Sequence, residues 1–352
     1  MTATTTTYAT GYHSAHRRRR SIVLTLITVA VAAAAALSAM TFGAVHIPLP
    51  HVIGALLGTA DHQTILVVGT LRLPRVVAGL VVGAALGLAG SLTQTVTRNP
   101  LASPDIIGVT SGASVGAVCV AMAAGSYGGV SGLAAMVGMP VAAAVGALTA
   151  TAVVTLASRT PERVVLVGVG VTVAAQSLVA WLLTLGDAQD AARATTWLTG
   201  SLGGTGWASV VPVVAVLTAT TPAILLIRRH LAVLPLGDDL TRGLGVPLAR
   251  VRWTALISAA VLAAGATAAA GPVAFVGLVA PRIAARLWHS ERPPGLGSAA
   301  CGAALVATSD LIARNVFAVL GGGTLELPVG IVTALIGGGY LVALLTSRRI
   351  SA

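Results

Sequence analysis

Most side chains here able to do chemistry are cations, and every one of the 21 basic residues is arginine. Without lysine there is no G-x-x-x-x-G-K-[ST] phosphate loop and no lysine Schiff base. Energised work therefore has to draw on a partner or a gradient. His46, His51 and His62 fall near one another without ligand spacing, and no H-E-x-x-H occurs. Cys119 and Cys301 are isolated in apolar runs and read as small hydrophobes. The acidic residues, Asp61, Asp105, Glu162, Asp187, Asp190, Asp238, Asp239, Glu291, Asp310 and Glu326, sit in loops or at the ends of apolar runs. None lies at mid-run, where ion-coupled carriers keep ionisable groups. No nucleophile–base pair points to an enzyme.

The elements that hold these groups are apolar. Of 352 residues 56% are hydrophobic and 9% charged, against about 25% charged in a soluble domain. Too little charge remains to cover a globule in water, which excludes an ordinary soluble enzyme, a disordered chain and a coiled coil. A span needs about 20 apolar residues to cross about 30 Å of hydrocarbon. Ten candidates run roughly over 22–44, 65–97, 105–125, 130–157, 164–186, 207–227, 251–271, 273–288, 297–320 and 328–346. The eighth is short, holds Pro281, and reads as a half-helix or re-entrant segment. Residues 1–21 form a basic tail before a retained signal-anchor helix, and 22–347 the transmembrane body.

Charge sets the direction. With Arg17–Arg20 inside, ten alternating spans put 17 of the 21 arginines on the cytoplasmic side, both termini included. Arg72, Arg75, Arg193 and Arg314 fall outside. Arg72 and Arg75 share a helical face at the start of the second span, whose 33 or so residues make roughly 50 Å of helix. They either snorkel to headgroups or receive acidic side chains of a partner, which arginine's planar fork suits. Arg314 lies four positions after Asp310, the spacing of a helical ion pair.

Two connections are long. Segment 187–206 reads as an outer loop. Segment 228–250 reads as an inner loop of short amphipathic helices broken by Pro235, Gly237 and Pro247. Its mixture of leucines and charges suits either a protein partner or the headgroup layer. Gly79, Gly83, Gly87 and Gly90 recur in the second span at the spacing that lets helix backbones approach in lipid.

Several longer blocks carry a resemblance. R-L-P-R begins at Arg72, and N-P-L-A-x-P-D-x-x-G-V runs from Asn99. Further blocks are W-L-T-G-S-L-G-G-T-G-W at 197–207, G-P-V-A-F-V-G-L-V-A-P-R-I-A at 271–284, and E-L-P-V-G-I-V-T-A-L-I-G at 326–337. Over about 65–350 the chain resembles the FecCD-type permeases, membrane subunits of binding-protein-dependent ABC importers for iron–siderophore complexes, haem and vitamin B12.

The resemblance implies an all-α integral membrane protein with the type II ABC importer permease fold, about ten helices and cytoplasmic termini, in the inner cell membrane. It implies a second permease subunit, identical or paralogous, two ATPase subunits and an extracytoplasmic substrate-binding protein, with no nucleic acid. ATP and Mg would be used by the ATPase, and no cofactor would be bound by this chain. By position, Arg72, Arg75 and Arg314 would dock the binding protein. Leu236, Gly237, Asp238, Leu244, Gly245 and Pro247, within a coupling loop at about 230–250, would seat in the ATPase. Asn99, Pro100 and Leu101 would belong to the cytoplasmic gate. The resemblance gives Arg193 no role. Ferric siderophore is the expected substrate, with vitamin B12 or haem as alternatives. An ion-driven secondary transporter or a membrane scaffold without flux are the readings of another class.

Overall fold

The computed structural model describes residues 5–43, 45–126, 133–158, 160, 163–319 and 326–349, and these form helices and turns with no strand. Glu162, read above as lying in a loop or at the end of an apolar run, is outside the described residues, as is Arg159. In chain order the helices are α1 (Thr5–Thr41), α2 (Leu49–Leu56), α3 (His62–Leu66), α4 (Leu73–Thr97), α5 (Val109–Ser126), α6 (Leu133–Ser158) and α7 (Val164–Leu185). They continue as α8 (Ala188–Leu198), α9 (Trp207–Val233), α10 (Asp238–Gly243), α11 (Leu248–Ala270), α12 (Val276–Leu287), α13 (Gly295–Val319) and α14 (Val329–Arg349).

Seven helical stretches among the described residues are long and apolar enough to cross a membrane: those in α1, α3–α4, α6, α7, α9, α11 and α13. α5 and α14 contain shorter apolar stretches, and α12, the expected half-helix, has only 12 residues. The second span is continuous from His62 to Thr97 because a π-helical turn at Val67–Arg72 joins α3 to α4. Its start is fixed by Asp61, whose carboxylate accepts the Thr64 amide at 3.0 Å.

Burial sorts these helices into a centre and a rim. The second span is 72% buried and α11 61%, whereas the windows in α1, α7 and α9 are 17–22% buried. α4 packs against α13, α11, α12 and α9. Its glycines make this possible. A Cβ on Gly83 would lie 2.3 Å from the Gly302 carbonyl oxygen, on Gly87 2.2 Å from that of Ser298, and on Gly90 1.8 Å from that of Gly277. No side chain fits at those points, so the central helices meet backbone to backbone. The apolar residues left exposed on α6, α7 and α9, such as Leu156, Leu166 and Leu226, are what lipid or a second subunit would cover.

Two local differences from the sequence reading stand out. Segment 187–206 is not a plain loop but contains α8, a short helix with buried Asp190 and Ala194 facing inward. Its polar composition and short length hide it from a hydropathy scan. Residues 5–20, expected as a tail, continue α1 as one helix with the first span. Residues 12–20 carry neither glycine nor proline, and arginine is a good helix former.

Candidate functional site: an arginine cluster and a clasp at opposite ends of one helix

An arginine cluster gathers where α1 ends beside the starts of α4 and α14. The last carbonyls of a helix have no intrahelical partner, and α1 has no basic residue in its own final turn. Arg72 supplies the missing donors, reaching the carbonyls of Met40, Thr41 and Val45. Arg314 donates to the Ala39 carbonyl at 3.3 Å and to Asp310 through Nε at 2.8 Å. Arg75 donates to Asp310 at 3.0 Å and to Glu326 at 2.7 Å. Asp310 is thus gripped by two arginines, and only 3% of it is exposed.

Arg72, Arg75 and Arg314 therefore do converge, but their guanidiniums turn inward. Arg72 is 9% exposed and Arg314 8%. A charge buried to that degree needs partners close by, and backbone carbonyls leave no mark in a sequence pattern. The i,i+4 contact of Asp310 with Arg314 is present. Glu326 is the cluster's accessible member, with 43% of its side chain exposed. Arg193 stays apart from the cluster, exposed on α8 and 3.6 Å from Asp190.

A clasp lies at the other end of α4. Arg98 ends that helix in the left-handed conformation, φ 50°. It donates to the Leu234 carbonyl at 2.9 Å and to the Asp238 carboxylate. Arg252, on α11, donates to the same Asp238 oxygen at 2.7 Å. Partial burial of Asp238 alone would raise its pKa. The hydrogen bond from Arg98 and the charge of Arg252 outweigh that and hold the carboxyl below its usual range. Thr241 adds a second tie, donating its hydroxyl to the Val233 and Gly237 carbonyls at 3.1 and 2.6 Å.

These ties present a leucine face. Leu236, Leu240 and Leu244 are 55–63% exposed on and beside α10. Gly237 (φ 100°) and Gly245 (φ 75°) make the turns on either side, a backbone conformation that a side chain would strain. Pro247 then caps the start of α11. At the exit of α4, the Asn99 side chain accepts the Leu101 amide at 2.9 Å, forming a tight turn with Pro100 between them and Leu101 exposed.

Between these two ends a cavity of about 400 Å³ opens beside α5 and α7. Its polar lining is Asp105, Thr110, Ser111, Ser114, Thr172 and Gln176. Sequence reading missed this group, because single hydroxyls spread over two apolar helices carry no spacing signal. It also missed Arg98, Arg252 and Thr241 as holders of Asp238.

Comparison with known proteins decides the family. The model of the FecCD transport family matches residues 15–347. The chain belongs to the FecCD transport family. It is 38% identical over 306 residues to the ferric enterobactin transport system permease protein of Escherichia coli (strain K12), covering 86% of this chain and 89% of that one. It is 38% identical over 309 residues to the achromobactin transport system permease protein of Dickeya dadantii (strain 3937), covering 85% and 84%. A solved structure of a metal-chelate type ABC transporter in an inward-facing conformation superposes with a TM-score of 0.79 at 24% identity, over 92% of this chain and 98% of that one. The fold is thus that of an ABC transporter permease, all-helical and multi-pass.

Proposed function

We propose that this FecCD-family protein is the membrane permease subunit of an ABC importer that carries a ferric siderophore into the cell on ATP hydrolysed by partner subunits. The observation that carries the reading is the inner clasp. A leucine-faced segment, too polar to bury in lipid, is tied by Asp238 to the most buried helix of the bundle. A partner that grips Leu236, Leu240 and Leu244 pulls on α4 and α11 directly. A chain without lysine has no P-loop of the G-x-x-x-x-G-K-[ST] type, which supports a nucleotide site on that partner. The names of the relatives, which carry ferric enterobactin and achromobactin, favour a ferric siderophore.

The rest of the reading follows the same logic. In this reading the seven long spans, the two shorter apolar helices and α12 count as ten crossings, with both termini on the cytoplasmic side of the inner membrane. Two permease copies or paralogues enclose the path, and the polar cavity beside α5 and α7 belongs to it. On the outer face an acidic binding protein docks at the arginine cluster. Arg75 makes that contact, because its partner Glu326 is the exposed one. Arg72 and Arg314 hold the end of α1 behind it. Asn99, Pro100 and Leu101 form the turn at the cytoplasmic gate.

Reconstitution tests this. Proteoliposomes holding the permease, its ATPase and its binding protein should accumulate ferric siderophore only with ATP, and Arg75→Glu should abolish uptake while the ATPase stays bound. Uphill uptake by the permease alone, driven by an ion gradient, would replace the importer with a secondary transporter.

A further inference from the structure

A second cleft, of about 270 Å³, opens at the inner end of the molecule, beside the gate turn and the coupling segment. Gln94, Arg98, Arg282, Glu291 and Arg292 are among the residues that line it, together with Pro100 and Pro235. Arg98 is committed to Leu234 and Asp238. Arg282 and Arg292 enter no ion pair among the described residues, and the buried Nε of Arg282 has no hydrogen-bond partner. Arg292 is half-buried, and that burial lowers the pKa of its guanidinium.

Gln94 adds an independent sign. Only 4% of it is exposed. Its amide nitrogen donates to the Leu278 carbonyl at 3.0 Å, which fixes the amide orientation. Its Oε1 is left buried without a donor. A buried acceptor in that state is destabilising until a donor reaches it. The walls are held in place as well. Ser91 donates to the Pro293 carbonyl at 3.1 Å, and Ser290 to the Arg292 carbonyl at 2.7 Å.

The cleft thus presents two uncommitted guanidiniums against the single carboxylate of Glu291, with one buried acceptor in want of a hydroxyl. An ionised carboxylate would satisfy the arginines and leave Gln94 unmet. We propose that it binds a phosphate ester carrying a free hydroxyl, with the phosphate oxygens on Arg282 and Arg292 and the hydroxyl donating to Gln94 Oε1. The volume lies below the roughly 300–1,000 Å³ of pockets for drug-sized ligands and suits a group the size of a glycerol phosphate. Such a group comes either from the headgroup of phosphatidylglycerol or from a soluble ester. Bound there, it would brace the Pro100 turn against Pro235.

The full-length permease is placed in nanodiscs with phosphatidylcholine alone, with added phosphatidylglycerol, or with added phosphatidylethanol. The last has the same phosphodiester charge and no hydroxyl. Retained lipid is read by native mass spectrometry, and the unfolding midpoint is followed in detergent with sn-glycerol 3-phosphate. Phosphatidylglycerol should be retained about fivefold over phosphatidylethanol, the worth of one hydrogen bond. Arg282→Gln with Arg292→Gln should abolish retention of both anionic lipids. Gln94→Met should level the two lipids without losing either, and Arg292→Lys guards against misfolding by keeping the charge. Stabilisation by sn-glycerol 3-phosphate identifies a soluble source, and retention of phosphatidylglycerol alone identifies the bilayer. No anion bound, or unchanged retention in the arginine double variant, would overturn the proposal and leave the cleft to water. Equal retention of both anionic lipids by the wild type would overturn it too.

Discussion

Replacing Asp238 with asparagine tests whether the coupling segment transmits force through its clasp. The Asp238 carboxylate receives donors from Arg98 and from Arg252, the latter at 2.7 Å, and its side chain is 29% exposed. A hydrogen bond involving a charged group contributes about 1.5–3 kcal/mol when buried. Partial exposure screens the pair, so about 2 kcal/mol for both together is the better figure. That loss is local, since Thr241 and the leucine packing remain. It corresponds to about a 30-fold rise in the opening of segment 236–247. Hydrogen exchange on the assembled transporter should report that rise in the amides of Leu240–Leu244, with α4 unchanged. Proteoliposomes should then hydrolyse more ATP per siderophore imported. Unaltered exchange together with an unaltered ratio would refute the clasp as the route of coupling. The pH dependence has a fixed sign. A carboxyl with a folded pKa below its unfolded value of about 3.8 stabilises the clasp above that value and loses this as pH falls through the lowered one. Protection of the segment should stay flat through neutral and mildly acidic pH and fail only in strong acid.

Gly90→Ala puts a methyl 1.8 Å from the Gly277 carbonyl oxygen; overpacking costs roughly 1–3 kcal/mol and sometimes more, so the unfolding midpoint in detergent should fall clearly, while Gly170→Ala, with open space around it, should leave it in place. Arg314→Gln removes a partner from buried Asp310 and should destabilise by about 3 kcal/mol, read as a lower midpoint. Glu326→Gln frees Arg75 from its exposed partner and should tighten binding-protein docking, measured as a lower Kd on immobilised transporter. Leu240→Asp with Leu244→Asp puts charge on the exposed leucine face and should prevent co-purification of the ATPase without altering the permease's own midpoint.

The sequence made some of this legible, for reasons that can be named. Gly83, Gly87 and Gly90 advertised close packing by their spacing, but their contacts with Gly302, Ser298 and Gly277 are tertiary and leave no local trace. The coupling segment was readable because Pro235, Gly237 and Pro247 break it into short pieces between charges and leucines. Its clasp was not, since Arg98 reaches Asp238 across 140 positions. Arg72 and Arg75 stood out as cations on the unexpected side. Their inward direction is set by carbonyls at the end of α1, and every residue has a carbonyl. The π-helical turn before α4 was invisible too, because Val67–Arg72 is as apolar as the α-helix it interrupts.

One consequence follows from α4 carrying Arg75 near its first residue and running straight into Arg98 after its last. Its 25 residues span about 37 Å at 1.5 Å per residue, and the bare backbone contacts at Gly83, Gly87 and Gly90 lie near mid-length. That is the form of a lever resting on a fulcrum. A tilt of about 5° about that point would swing each tip by roughly 1.5 Å in opposite senses. What grips one tip is thereby felt, reversed in sign, at the other.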